Sequence, residues 1–112
     1  MTPLEGRINA LLKGLRRFKN DNGELRVLPF EKLPDKATVK DYYTVIKNPI
    51  ALDGIKRNFK RKKYHSVDQV LADLELMFEN AKEYNEEGSD VYNDAVERVS
   101  YTHLTLPTIL RV

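Results

Sequence analysis

Four stretches of the chain place apolar residues every three or four positions, which is the period of an amphipathic helix. The first covers residues 4–20 and ends in an Asn-Asp-Asn-Gly sequence that is typical of a helix stop. The second, residues 53–62, is short and carries Ile55 and Phe59 on one face, with Asp53 as its candidate cap. Both helices are predicted to bury their apolar faces in a shared core.

The third helix has the clearest start signal. Ser66 and Gln69 form a capping box ahead of an apolar stripe that persists for four turns, so we predict a helix over residues 67–84. Gly88 favours a stop after it, and Ser89 is suitably placed to cap a fourth helix. The side chains of the fourth helix that we expect to face inward are Val91, Tyr92, Ala95, Val96 and Val99.

A long stretch without helical period, residues 21–40, separates the first two helices. It contains more apolar residues than a solvated linker needs, and connections of this length inside a compact domain are usually functional. Residues 41–46 then indicate a short helical turn capped by Asp41. No strand pair or internal repeat is visible. The predicted fold is therefore all-α: a four-helix bundle with a long loop between its first and second helices.

The last twelve residues break this pattern. Residues 101–112 are rich in β-branched residues, carry almost no charge and include Pro107, which prevents a regular helical continuation. We therefore predict one domain over residues 1–100, followed by an atypical tail over residues 101–112 that is foreign to it.

The composition bounds the class of protein. A length of 112 residues corresponds to one domain, and the absence of cysteine excludes disulfides, thiolate metal sites and a cysteine nucleophile. No apolar run approaches the roughly 18 residues needed to span a membrane. The net charge of +2 hides an asymmetry: residues 56–64 hold six basic side chains, whereas residues 68–97 hold ten acidic side chains and one lysine.

Catalytic motifs are missing from the sequence. His65 and His103 are the only histidines, and there is no Ser-His-Asp set, metalloprotease motif or Gly-rich phosphate loop. The acidic residues of the third and fourth helices are predicted to lie mostly on the solvated face: Glu75, Glu79, Glu83, Asp94 and Glu97. We expect a binding module rather than an enzyme, with no metal and no cofactor.

Two longer motifs indicate which kind of module this is. Residues 41–50, DYYTVIKNPI, resemble the bromodomain signature D-Y-Y-x-x-I-x-x-P-[MI], and residues 77–85, MFENAKEYN, resemble its M-F-x-N-[AC]-x-x-Y-N segment. Residues 28–30, LPF, lie where the family has a W-P-F-like shelf. The resemblance extends over residues 4–99, and residues 83–89 are most similar to bromodomains of chromatin-remodeller subunits, the RSC and polybromo group.

This resemblance implies a left-handed four-helix bundle that binds acetylated lysine in histone tails. It also implies a nuclear location within a larger chromatin complex, and we expect the isolated domain to be a monomer. Acetylation turns the lysine ammonium into a neutral amide, so a reader needs an apolar slot and one donor for the amide oxygen. Asn85 offers that donor. The resemblance to the family implies that the Tyr42 hydroxyl holds a water that bridges to the same amide oxygen. The remaining expected wall and floor residues are Pro29, Phe30, Leu33, Tyr84 and Val91.

Other aromatic and apolar residues of the motifs are expected to be structural: Tyr43 is expected to be mainly structural, and Met77 and Phe78 are expected to lie in the core. The sequence also departs from the family pattern at two positions. Leu28 replaces a common tryptophan, which makes the shelf smaller, and Ala51 replaces a common aspartate, which is expected to loosen the start of the second helix.

A nucleic-acid-binding helical domain is the alternative to an acetyl-lysine reader. In that interpretation the basic run contacts backbone phosphates. The two functions can coexist, because a histone reader works beside nucleosomal DNA, and a purely structural bundle is a third interpretation. The side chains that would contact DNA are Lys56, Arg57, Lys60, Arg61, Lys62 and Lys63.

Overall fold

The computed structural model describes residues 2–17 and 28–99, with the backbone alone at residues 16, 17, 28 and 29. Within these ranges the chain is helical and contains no strand, which confirms the predicted all-α class. No helix in this part of the chain is long and apolar enough to cross a membrane. The helices are α1 (Pro3–Arg17), α2 (Leu28–Glu31), α3 (Tyr42–Val45), α4 (Leu52–Lys60), α5 (Val67–Tyr84) and α6 (90–99).

The four predicted amphipathic helices correspond to α1, α4, α5 and α6. The short helices α2 and α3 both lie in the long connection, so that connection contains a helical turn around Phe30 that its sequence pattern did not predict. The first predicted helix included Phe18, and the proposed tail spans residues 101–112; both lie outside the described residues.

Side-chain caps form at both predicted serines. The Ser66 hydroxyl accepts the Gln69 backbone N–H at 3.3 Å, and the Gln69 side chain accepts the His65 N–H at 2.7 Å, one residue earlier than in the usual capping box. The Ser89 hydroxyl accepts the Tyr92 N–H at 3.3 Å at the start of α6. Each cap satisfies a backbone donor that has no partner within its own helix.

Of the two predicted aspartate caps, Asp53 is wrong, and Asp41 is confirmed in its position before α3 but makes no capping bond with its side chain. Helix α4 starts at Leu52, so Asp53 lies in its first turn and pairs with Arg57 at 3.5 Å instead of capping it. Ala51 occupies the cap position without a side-chain bond. Asp41 does precede α3, but its carboxylate makes no cap bond because it accepts a hydrogen bond from another helix.

Helix α4 ends in a Schellman motif whose left-handed residue is a lysine. Lys62 has φ of 59°, its N–H bonds the Phe59 carbonyl at 3.0 Å, and the Lys63 N–H bonds the Asn58 carbonyl at 3.0 Å. This geometry turns the chain sharply after Arg61 and satisfies two carbonyls of the last helical turn.

One hydrophobic core joins the long helices. Helix α5 contributes its apolar stripe, and the buried side chains of α1 and α4 pack against it. In α2, Phe30 is buried and meets Phe78 edge to face, with ring centroids 5.4 Å apart. The core cluster comprises Ile8, Leu11, Leu12, Leu15, Phe30, Leu52, Ile55, Val67, Val70, Leu74, Met77, Phe78, Ala81 and Ala95.

The inward face of α6 differs from the predicted one. Val96 is 40% exposed, whereas Asp94 and Arg98 are only 4% and 2% exposed, so the predictions for Val96 and Asp94 are wrong. Helix α6 is rotated so that Ala95 faces the core, flanked by charged side chains. Arg98 donates from Nη1 to the backbone carbonyl of Leu15.

We predict that Arg98→Met destabilises the fold by about 3 kcal/mol, because it leaves buried acceptors and nearby carboxylates without their cation. Chemical denaturation measures this loss as a lower transition midpoint at unchanged slope. Arg61→Met is the matched control, because Arg61 is exposed and its loss should change stability by less than about 0.5 kcal/mol. Equal midpoints for the two variants would show that the buried guanidinium does not hold the helices together.

Candidate binding site

A cavity of about 280 Å³ opens between the long connection, the end of α5 and the start of α6. Six of the seven predicted acetyl-lysine site residues line it: Phe30, Leu33, Tyr42, Tyr84, Asn85 and Val91. The side chain of the seventh, Pro29, lies outside the described residues. The other lining residues were not predicted as site residues: Lys32, Pro34, Val39, Ile50, Ala51, Met77 and Ala81.

Asn85 lies at the C-terminal cap of α5, where the helix ends and the backbone becomes extended. Its backbone N–H donates to the Ala81 carbonyl at 3.1 Å, and its side-chain Nδ2 donates to the same carbonyl at 2.8 Å. A carboxamide has two N–H donors and one oxygen acceptor. The bond to Ala81 orients the carboxamide and uses one of its two donors, and Asn85 lines the cavity.

A cluster of aromatic rings forms one side of the cavity. The Tyr42 ring meets the Tyr84 ring edge to face at 4.9 Å, and the Tyr84 hydroxyl donates to Asp41 Oδ1 at 2.8 Å. The bond to Asp41 raises the pKa of Tyr84, and burial raises the pKa of Tyr42. Both hydroxyls are therefore neutral at physiological pH, and the Tyr42 hydroxyl is available as a donor or acceptor.

Tyr43 supports the loop instead of lining the cavity. Its hydroxyl donates to the Pro34 carbonyl at 2.6 Å, and the Lys36 ammonium lies 5.2 Å from its ring centroid. This division of the two tyrosines places Tyr42 at the cavity and Tyr43 behind it. Met77 is buried in the core as expected, but it also forms part of the cavity wall.

Asn80 fixes the chain between α3 and α4. It is a buried polar residue in the apolar stripe of α5, and its Nδ2 donates to the Asn48 carbonyl at 2.9 Å. This bond holds the segment that contributes Ile50 and Ala51 to the cavity. The sequence contained a signal for this role, since an asparagine between Met77-Phe78 and Ala81 needs a buried partner.

The cavity is poor in charge. Among the described residues that line it, Lys32 is the single charged one, and none is acidic. A neutral ligand with an apolar stem and a polar tip fits such a lining, whereas a cationic side chain would find no counter-charge there.

The structure separates the members of the basic run. Lys56 pairs with Glu31 at 3.5 Å, and both side chains are about three-quarters buried, at 26% and 22% exposure. Arg57 pairs with Asp53 on α4, and Lys62 lies 4.0 Å from Glu5 of α1. The four side chains that are exposed at the end of α4 and in the following turn are Lys60, Arg61, Lys62 and Lys63.

We predict that Tyr84→Phe loosens α3, because Asp41 then loses the bond that ties it to α5. Amide hydrogen exchange at Thr44 and Val45, whose N–H groups bond to the Asp41 carbonyl, should accelerate about fivefold, as expected for a hydrogen bond that contributes about 1 kcal/mol. Unchanged exchange at both amides would contradict this role.

The matched control is Tyr64→Phe. Tyr64 makes an equivalent bond to Asp73 at 2.6 Å, and neither residue lines the cavity. Its loss should leave the exchange of Thr44 and Val45 unchanged.

Solved bromodomain structures share the helical fold of this chain. The bromodomain from human BAZ1A superposes with a TM-score of 0.80 and 30% identity, covering 92% of this chain and 91% of that one. An acetylated Rsc4 tandem bromodomain superposes with a TM-score of 0.89 over 96% of this chain and 43% of that chain; at 21% identity it supports the fold alone.

Sequence comparison points the same way. The chain is 36% identical over 85% of its length to the chromatin structure-remodeling complex subunit rsc1 of Schizosaccharomyces pombe, and 42% identical over 76% to the subunit snf21 of the same yeast. It spans only 12% and 7% of those relatives. The bromodomain family model matches residues 12–97. Together with the helical fold, this match shows that the chain belongs to the bromodomain family.

Proposed function

We propose that this bromodomain binds acetylated lysine, with the Asn85 carboxamide donating its second N–H to the acetyl oxygen. The observation that carries the proposal is the oriented donor at the end of α5, beside a cavity whose described lining residues include no acidic one. Tyr42 lines the same cavity, and its hydroxyl is suited to hold a water that bridges to that oxygen. The long apolar stem would lie against Phe30, Leu33 and Val91, with Tyr84 beside the floor.

Discrimination against unmodified lysine follows from the lining. A lysine ammonium that enters the cavity would lose its hydration, which costs several kcal/mol, and the nearest charged lining residue is the cation Lys32. Acetylation removes both penalties, whereas the hydrogen bond to Asn85 adds only about 1 kcal/mol. We therefore expect affinity for a single mark of roughly micromolar to millimolar Kd.

Acetylated histone tails are the proposed partners. The similarity to chromatin structure-remodeling subunits supports a role as the reading module of a nuclear chromatin-remodelling complex. Because the chain spans a small share of those relatives, the other activities of such a subunit would lie in other domains. We propose that the isolated domain binds its peptide as a monomer.

We predict that Asn85→Ala lowers affinity for an acetylated histone-tail peptide by at least about tenfold, because the oxygen of the bound amide is left without its donor. Calorimetric titration measures the affinity, and circular dichroism checks the fold. Asn48→Ala is the matched control, because this side chain is exposed while its backbone carbonyl still accepts from Asn80. A folded Asn85→Ala protein with unchanged peptide affinity would overturn the assignment.

Tyr42→Phe should weaken the same peptide less than Asn85→Ala, by about two- to fivefold. The substitution keeps the ring that packs on Tyr84 and removes only the water-holding hydroxyl. The same titration compares the two variants. A loss equal to or larger than that of Asn85→Ala would mean that the roles of the two residues are exchanged.

We also propose a secondary attraction to nucleosomal DNA through the basic run. The observation that favours it is the exposure of four consecutive basic residues, 60–63, at one end of α4. Lys56 and Arg57 contribute less, because each already pairs with a carboxylate. Such contacts with phosphates are independent of sequence and sensitive to salt.

Replacing Lys60, Arg61, Lys62 and Lys63 with Gln should lower affinity for duplex DNA and flatten its dependence on salt, because fewer counterions are released. Affinity for a free acetylated peptide should stay unchanged. The measurement is DNA binding of both proteins at several salt concentrations. A parent chain whose affinity for DNA is the same at low and physiological salt would show that the run is only a solvated surface.

A further inference from the structure

A second cavity, of about 260 Å³, lies between α1 and α4. Helix α1 contributes Asn9, Leu12 and Lys13 to its lining, and α4 contributes Lys56, Phe59 and Lys60. It shares no lining residue with the cavity at Asn85. Neither acetyl-lysine binding nor the exposed turn after α4 accounts for it.

The lining combines an apolar base with a cationic rim. Leu12 is buried, and Phe59 is half-buried against the core, so its ring is held in place while part of it stays accessible. Lys13 and Lys60 are exposed, one on each helix, so that cationic side chains face the opening from two directions. No acidic residue belongs to the lining within residues 2–17 and 28–99; the carboxylate of Glu31 is held by Lys56.

We propose that this cavity binds a phosphorylated nucleoside. A nucleobase is flat and apolar on its faces, which matches the accessible ring of Phe59. Its edge carries donors and acceptors, and the Asn9 carboxamide offers both. The phosphate needs cations, and Lys13 and Lys60 supply them from opposite helices. The volume of about 260 Å³ lies just below the roughly 300 Å³ at which ligand cavities usually begin, so the ligand must be small.

The nucleotide can be free in solution or a single unit of an unpaired strand; the recognition chemistry is the same in both. A base inside a duplex is already stacked and paired on its edge, so it is not available to Phe59 or Asn9. This site therefore differs from the salt-dependent attraction of the exposed basic run to duplex DNA, although Lys60 belongs to both. It is also independent of acetyl-lysine binding.

The test titrates the full 112-residue chain, labelled with nitrogen-15, with AMP, adenosine and inorganic phosphate. We expect saturable binding of AMP with amide shifts at Lys13, Phe59 and Lys60, and at least tenfold weaker binding of adenosine and of phosphate. A short single-stranded oligonucleotide and its duplex form the second pair of ligands. Tighter binding of the single strand than of AMP, with the difference lost in Phe59→Leu, would identify a strand as the source, and equal binding would identify the free nucleotide.

Two variants separate the contributions. Lys13→Gln with Lys60→Gln should lower AMP affinity at least tenfold, and Phe59→Leu should lower it similarly while leaving duplex binding unchanged. Lys63→Gln is the control, because Lys63 is exposed and does not line the cavity. Peptide binding at Asn85 should be unaffected in all of them, which also verifies the fold. No saturable AMP binding, or equal affinity for AMP and phosphate with no effect of Phe59→Leu, would overturn the proposal.

Discussion

The buried guanidinium of Arg98 connects three helices, because Arg98 belongs to α6 and contacts both α1 and α2. The last carbonyls of α1 have no partner within their own helix, and Arg98 of α6 donates to one of them, at Leu15. The same guanidinium lies 5.4 Å from the ring centroid of Phe30 in α2. Burial lowers the pKa of Arg98, and the nearby carboxylates of Asp94 and Glu97 oppose that shift. One cation thus joins α1 and α6 and lies against an aromatic wall of the cavity.

That wall is otherwise built from a connection with little regular structure. Three side-chain bonds hold it: Tyr43 to the Pro34 carbonyl, Asn80 to the Asn48 carbonyl, and Tyr84 to the Asp41 carboxylate. Two of these donors lie on α5, which is the central helix of the core. The loop is therefore positioned by the helix with the most buried residues, as a binding site needs if its donors are to stay within hydrogen-bonding distance.

The sequence predicted the long helices well because burial imposes a period on their residues. The serine caps could be predicted because each capping bond joins residues only three positions apart. Some of its errors were tertiary: Asp41 bonds to Tyr84, 43 positions away, and no local pattern signals such a partner. Likewise, the sequence pattern predicted Val96 in the core and Asp94 at the surface. The bond between Arg98 and the Leu15 carbonyl instead favours a rotation of α6 about its axis that buries Asp94 and exposes Val96.

The candidate site divides in the same way. Motif residues such as Asn85 and Tyr42 could be assigned because their side chains carry recognisable chemistry. Ala51 and Ala81 line the same cavity but contribute only by being small, and a small side chain has the same appearance in sequence whether it borders a cavity or the core. Asn80 lies between these two cases. A polar residue in an apolar stripe indicates that it has a buried hydrogen-bond partner, but the sequence does not indicate that this partner is the Asn48 carbonyl.

In the Schellman turn after α4, the backbone conformation of residue 62 favours glycine, but the residue is a lysine that adds positive charge to the surface. Lys62 adopts a left-handed backbone, where a side chain other than glycine costs roughly 1–2 kcal/mol. A glycine at this position would relax the backbone but remove one of four adjacent cations. The ion pair between Lys62 and Glu5 contributes too little to offset that strain, because the two groups are 4.0 Å apart and the Lys62 side chain is largely exposed. A search for thermostable variants of this domain would therefore select glycine at residue 62, and the more stable protein would carry a less basic surface.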